Sequence, residues 1–364
     1  MTTPFGSDFT VGVEEELLLV DGTTLALTPV TGDVLAAMQA DPSAAGHDAY
    51  AAQIELRSTP AGTVADAVES IARLREAAMA AGATMIGAGL HPAGRFGDAA
   101  PVEGPRYELV ADQLRGLLQR TPESALHVHV GLPDERAAGR AFNALRLHVP
   151  LLVGLAANSP FWFGADSGLQ SARYALSRAY PGRCVPRAVR DVEDLWELAA
   201  STLAAAGLPD ATFLWWDLRL HPRHGTLELR EMDAQSSTEN VAALAALARS
   251  LVVEAASASP AAPVPSEALG WAAFRAARDG RDATILDGEA LRPLADVARD
   301  TVRRVRPIAR ELGDESALDG VEAILAAGGA ARQRASFERG GLDGVLRSLV
   351  DETAATGAAF ARRA

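Results

Sequence analysis

Lysine is absent. All 34 basic residues of this 364-residue chain are arginine, which removes the phosphate-holding lysine of P-loop and kinase sites and the amine that pyridoxal phosphate needs for a Schiff base. Any phosphate must be held by arginine, a metal ion or backbone. Cysteine is nearly absent as well. Cys184, in "YPGRCVPR", stands alone, so an internal disulfide and a multi-cysteine zinc site are excluded; with no histidine near it in sequence, it reads as a plain loop thiol and not a nucleophile. Positive charge is in deficit, with a formal net charge of -13. Without an arginine-rich block, nucleic acid is not an expected partner. No run approaches eighteen uncharged apolar residues, and the opening "MTTPFGSDF" lacks the basic and apolar regions of a secretion signal. The expectation is a cytoplasmic protein that handles small molecules and meets neither membrane nor nucleic acid.

What the chain does have is a 48% hydrophobic content, ample for a sizeable core. Alternating patterns predict strands in "FTVGVEEELLLVD" (9–21), "AAQIELRST" (51–59), "TMIGAGL" (84–90), "SALHVHVGL" (124–132), "TFLWWDLRLHP" (212–222) and "GTLELREMD" (225–233), the last two joined by the hairpin-like "HPRHG". Apolar stripes predict helices over 63–83, begun by a Thr63 to Asp66 capping pattern, and over 106–120, 134–157 and 188–206. Residues 158–186, rich in Gly, Pro, Ser and aromatics with a short helix near 168–178, have the length of a lid or binding loop. From Ser237 onward the reading is almost all helix, broken at "SPAAPVPS" (259–266). Strands that add up to one sheet, then a helical third, predict an α+β fold and not a doubly wound one. We expect a single domain over 1–364, with a sheet-bearing core (1–236) and a mostly helical part (237–364). "MIGAGLHPAG" imitates a dinucleotide fingerprint, but Pro92 occupies the third glycine position of G-x-G-x-x-G and no suitably spaced acid follows.

Charge sits in the middle of nearly every strand. Side chains alternate faces along a strand, so Glu14 and Glu16 share a face with Gly12 while Glu15 points the other way. At about 3.3 Å per residue the two same-face carboxylates stand roughly 6.5–7 Å apart, suited to flanking two neighbouring cations. Glu55 with Gln53 and Arg57, His127 with His129, Asp217 with Arg219, and Glu228 with Arg230 repeat the device. One explanation is solvated Glu and Arg paired across an ordinary sheet. The other is a carboxylate- and imidazole-lined site for Mg²⁺ or Mn²⁺, ions that bridge polyphosphate oxygens and so imply ATP. Each histidine of the pair could be structural, and a zinc site is the softer alternative. His47, His91, His148, His221 and His224 read as structural or surface, and Trp215 and Trp216 as packing.

"GVEEELLLVD", "LHVHVGL", "SGLQSARYALSRAYPG", "WWDLRLHP" and "GTLELREMDAQ", in that order and reaching on to "FRAARDGRDA" (274–283), resemble the bacterial glutamate-cysteine ligase type 2 family, the carboxylate-amine ligases. The resemblance implies a fold similar to glutamine synthetase, with a curved, mainly antiparallel sheet forming a half-open funnel. It implies ATP as cosubstrate, phosphorylation of the γ-carboxylate of glutamate, and displacement of phosphate by the amine of cysteine, within low-molecular-weight thiol or glutathione synthesis. Phosphoryl transfer needs metals and positive charge around oxygens more than a covalent nucleophile, so the missing lysine is no obstacle.

Carried over by residue, the resemblance makes Glu14, Glu16 and Glu55 metal ligands, with His127 and Glu228 completing the ion nearest the γ-phosphate. His129 joins the nucleotide-binding set, and Arg230 neutralises the transferred phosphoryl group. Arg219, Arg173 and Arg178 become candidates for the amino-acid carboxylate or the phosphates. Arg275, a helical turn from Arg278, either closes over the site or pairs with surface acids. A different amine or carboxylate, a non-catalytic nucleotide or amino-acid binder, and a metal-dependent hydrolase are the competing functions. A homodimer through the C-terminal helices or a sheet edge is a further expectation.

Overall fold

The elements follow from where apolar residues recur and where turns interrupt them. In the computed structural model, which describes residues 4–258, 263–288 and 290–355, strand β1 (Val11–Val20) leads to helix α1 (Thr31–Met38), strands β2 (Ala45–His47) and β3 (Gln53–Arg57), helix α2 (Val64–Ala80) and strand β4 (Thr84–Ile86). Helix α3 (Pro105–Leu114), strand β5 (Ala125–Gly131) and helix α4 (Glu135–Ala156) follow, then the small hairpin β6 (Phe161–Trp162) and β7 (Ala165–Asp166), and helices α5 (Ala172–Ser177) and α6 (Val192–Ala206). After β8 (Leu218–His221) and β9 (Thr226–Asp233) come α7 (Thr238–Ser257) and α8 (Ser266–Asp279), and then the hairpin β10 (Thr284–Asp287) and β11 (Ala290–Pro293). Helices α9 (Leu294–Glu311), α10 (Glu315–Leu318), α11 (Gly320–Ala327) and α12 (Gly329–Ala355), the last broken by a kink at Gly340 and Gly341, complete the order.

The main sheet runs β2-β3-β1-β5-β9-β8, with β4 paired to one end of β1, and all these pairings are antiparallel. The expected α+β architecture is therefore present. One face is apolar: Val11, Val13, Leu17 and Leu19 of β1, Leu126, Val128 and Val130 of β5, and Leu227, Leu229 and Met232 of β9 enter one core with α2, α4 and α7. Helix α4 starts where the Asp134 side chain accepts the Ala137 N–H, as an N-cap should. Helix α7 is long and apolar enough to cross a membrane, yet it is the core helix here, packed on α2, α4 and α9. An all-round apolar helix needs such burial.

Glu15 shares the apolar face with Val13 and Leu17, and its compensation is Arg75 of α2. The Arg75 Nε and Nη2 atoms donate to the two carboxylate oxygens at 2.8 and 2.7 Å, and the guanidinium also reaches the carbonyls of Gln235 and Ser236, each at 2.8 Å. Both side chains are fully buried. The middle glutamate of the triplet is thus a clasp between the first strand, the second helix and the entry to α7.

Several local expectations need correction. "TMIGAGL" is a strand only over Thr84–Ile86, because the chain beyond must pass tightly behind β9: a Cβ on Gly87 would lie 2.2 Å from the Gln235 carbonyl oxygen, and one on Gly89 2.6 Å from the Asp233 carboxyl carbon. Close backbone approach explains the false fingerprint. "TFLWWDLRLHP" is extended only from Leu218, since the Asp210 side chain accepts the Thr212 N–H and winds Ala211–Phe213 into a 3-10 turn. The helix expected over 106–120 ends at Leu114. The C-terminal third contains the β10–β11 hairpin as well as helices, and of the expected break at 259–266, residues 259–262 lie outside the described residues.

Candidate active site

Antiparallel register aligns the polar residues in rows across the sheet. Glu14 faces Arg57 of β3 on one side and His127 of β5 on the other; Gly12 faces His129, which faces Glu228 of β9, which faces Arg219 of β8. Glu16 lies opposite Glu55. The His129 Nε2 atom is 3.5 Å from a Glu14 oxygen and 3.9 Å from Glu228, and it is buried with no hydrogen-bond partner, while its Nδ1 is 3.0 Å from the Thr226 hydroxyl. His127 Nδ1 is 3.5 Å from Glu14, and its Nε2 is 3.6 Å from Glu16.

Two sets of donor atoms result, Glu14 with Glu55 and His127, and Glu14 with His129 and Glu228, each set lying within 4.8 Å. They share Glu14. The carboxylates suit Mg²⁺ or Mn²⁺, and the imidazoles move the preference toward Mn²⁺ or a softer ion; the buried Nε2 of His129, which faces Glu14 and Glu228 only at 3.5 and 3.9 Å, is an atom a cation would satisfy, so these residues fit divalent metal. Burial and the positive Arg230 push His127 down to about 3, which keeps it a neutral ligand with a free lone pair. Burial opposes charge on Glu14, but His129 and His127 hold its carboxyl well below the usual range. Glu228 is held low against the same burial by Arg219 and Arg230.

Glu16 stands outside both sets. Burial and the nearby Asp48 push it up to about 8, and it accepts the Ala125 N–H at 2.7 Å. Arg219 binds Glu228 through two hydrogen bonds of 2.8 and 3.0 Å and spends its remaining nitrogen on the Ala211 and Thr212 carbonyls at 3.1 and 3.0 Å. It positions Glu228. Arg230 forms an ion pair with the same carboxylate.

A bulge lies beside this pair. Leu126 faces Met232 while Val128 faces Leu229, so Arg230 and Glu231 together oppose His127. A bulge kinks a strand and re-aims side chains, and here it lets Arg230 stay with Glu228 while Met232 regains the core. Glu231, buried beside Asp217, is pushed up to about 8 by burial and by that neighbour's charge.

The floor of a cavity of about 110 Å³ is formed by Glu16, His127 and Arg230. Its walls come from α3, with Arg106 and Tyr107, and from the turn after α5, with Tyr180 and Arg183; Asp48 and Trp215 close the rim. Tyr180 and Arg183 lie in the 158–186 span whose length suggests a lid or binding loop, while Asp48, Arg106 and Tyr107 carry no signal in the sequence and Trp215 reads there as packing. Arg173 also reaches this cavity, but its guanidinium donates to the Glu231 and Met232 carbonyls, each at 3.2 Å. Arg178 pairs with Asp217 and lies 3.9 Å over the Tyr174 ring. Arg275 is in neither the donor sets nor the cavity; it lies on α8, which packs on α4, α5 and β10.

The family model for glutamate-cysteine ligase family 2 (GCS2) matches residues 10–352. A Rubrobacter xylanophilus protein, provisionally named glutamate–cysteine ligase 2-3, is 39% identical over 365 residues, 96% of this chain and 98% of its own. A Haloferax volcanii protein named glutamate–cysteine ligase is 32% identical over 351 residues, 93% of this chain and 96% of its own. In three dimensions the chain is similar to the glutamate–cysteine ligase of Francisella tularensis solved with AMP, with a TM-score of 0.69 at 12% identity over 99% of this chain and 92% of that one, which is a likeness of fold.

Proposed function

The chain belongs to glutamate-cysteine ligase family 2, the carboxylate-amine ligases, and from that membership we propose that it joins the γ-carboxylate of glutamate to the amine of cysteine at the expense of ATP, in the cytoplasm. The observation that carries the reading is the pair of donor sets sharing Glu14, with Arg230 beside them on the same face of the sheet. Glu14, Glu55, His127, His129 and Glu228 would hold Mg²⁺ or Mn²⁺, which when bound neutralises polyphosphate charge and orients the terminal phosphoryl group. Glu16, protonated near neutrality until a cation approaches, is a reserve ligand next to His127.

In this reading the γ-phosphoryl group passes from ATP to a carboxylate oxygen, giving ADP and an acyl phosphate. The amine nitrogen then forms the amide bond as the carbon–oxygen bond to phosphate breaks, and the departing phosphate takes up the proton the amine loses. Arg230 offsets the negative charge on the moving group. Arg219 keeps Glu228 in place without touching the reactants.

ADP release by the purified protein with Mg²⁺ and ATP, scanned over carboxylates and amines, tests the proposal. ADP formed only when glutamate and cysteine are both present is the expected result. ADP that depends on another pair would keep the ligase chemistry and change its substrate; none with any pair would end the ligase reading.

A further inference from the structure

Arg183 is the odd member of a crowded group of arginines. Its neighbours are each engaged: Arg178 by Asp217, Arg230 by Glu228, and Arg173 by two carbonyls with Asp233 at 3.6 Å. Arg183 has a single weak hydrogen bond, from Nη2 to the Arg230 carbonyl at 3.4 Å. Its Nε is buried without a partner, as are those of its three neighbours, but Arg183 alone of the four has no carboxylate at ion-pair distance among the described residues; Asp217 and Glu231 act on it only from further away. Burial, together with the positive charge of Arg173 and Arg178, pulls it down to about 10.

The turn that carries it is not loose. The Arg183 N–H bonds to the Tyr180 carbonyl at 3.2 Å, and Gly182 takes the positive φ (75°) that the turn needs. Its side chain lines the cavity together with the apolar Val110, Leu114 and Trp215. A cation kept partly out of water among other cations is costly unless an anion completes it. A planar guanidinium is also the group best shaped to take two oxygens at once.

We infer that Arg183 grips an oxyanion of a bound reactant, either the carboxylate of an amino-acid substrate or the phosphoryl group in transfer. This deepens the ligase reading and rests on it for the identity of the reactants, though binding can be measured without turnover. Calorimetric titration of the wild-type protein, Arg183→Lys and Arg183→Met with glutamate, cysteine and the non-hydrolysable analogue AMP-PNP, in Mg²⁺, separates the sources. Hydrogen bonds to charged groups are worth about 1.5–3 kcal/mol, hence about 10- to 150-fold in affinity.

The expected result is a loss of that size for one of the three ligands in Arg183→Met, partly restored in Arg183→Lys. The other two should stay within about twofold, and the melting temperature should be unchanged. Loss confined to glutamate or cysteine assigns a carboxylate, and loss confined to AMP-PNP a phosphoryl group. The inference is overturned if all three affinities stay within twofold, if all fall together with a lower melting temperature, or if the wild-type protein binds none. Wild-type binding without ADP release would end the ligase reading while leaving the Arg183 result to be read directly.

Discussion

Two groups of donor atoms share the carboxylate of Glu14, so one amide in its place removes a ligand from both. Glu14→Gln should lower ADP formation on the order of 100-fold or more, the scale set by losses at metal-supporting residues, while urea unfolding stays at the wild-type midpoint. Glu231 supplies a test of a different kind. Its carboxyl, ordinarily near 4.5, is raised to about 8 in the fold. The folded state thus holds a proton that the unfolded chain has released, so the stabilisation is complete below about 4.5 and is lost as pH climbs toward 8. Melting curves at pH 5, 6.5 and 8 should show that decline in the wild-type protein and a flatter profile in Glu231→Gln; equal slopes would refute the assignment. The same-face logic of Glu14, His127, His129 and Glu228 was legible because a strand has a period of two. Asp48 and Arg106 were not, because they sit in a loop and on an ordinary amphipathic helix, where nothing local distinguishes a cavity wall from a solvated surface; Arg183 was legible only as part of a long candidate binding loop, with no signal for that one residue.

At the scale of elements, β1 and α2 are joined by a buried ion pair whose partners are 60 residues apart in sequence. Removing one member leaves an uncompensated charge in the core, at a cost of about 3–5 kcal/mol. Arg75→Met should therefore lose that much in denaturant titration, and the double variant with Glu15→Gln should recover part of it; an additive double variant would refute the coupling. The sequence shows that Glu15 points away from Glu14, but not which arginine meets it, since pattern carries no information about packing across layers. The bulge in β9 did leave a trace. In "LELREMD" the apolar residues fall at 227, 229 and 232, a step of two and then three, and the extra step marks the place where two residues oppose one. The β10–β11 hairpin left a weaker one, four-residue strands in an alanine-rich helical stretch.

For the molecule as a whole, cation binding should appear as stability. A ligand that binds only the folded state stabilises by about 2.7 kcal/mol at a hundredfold excess over Kd, so Mg²⁺ or Mn²⁺ should raise the melting temperature by a few degrees. Glu14→Gln should erase the rise, and a rise of equal size in that variant would place the ion elsewhere. One long-range contact has a further consequence. Helix α12 packs on β4, and the Thr353 hydroxyl accepts the Gly87 N–H at 3.0 Å across 266 residues of sequence. Contacts of such separation close last and slow folding. During synthesis, a strand made within the first quarter of the chain waits with one flank open until the ribosome has delivered the last of the described helices, and chaperones have that whole interval in which to act on it.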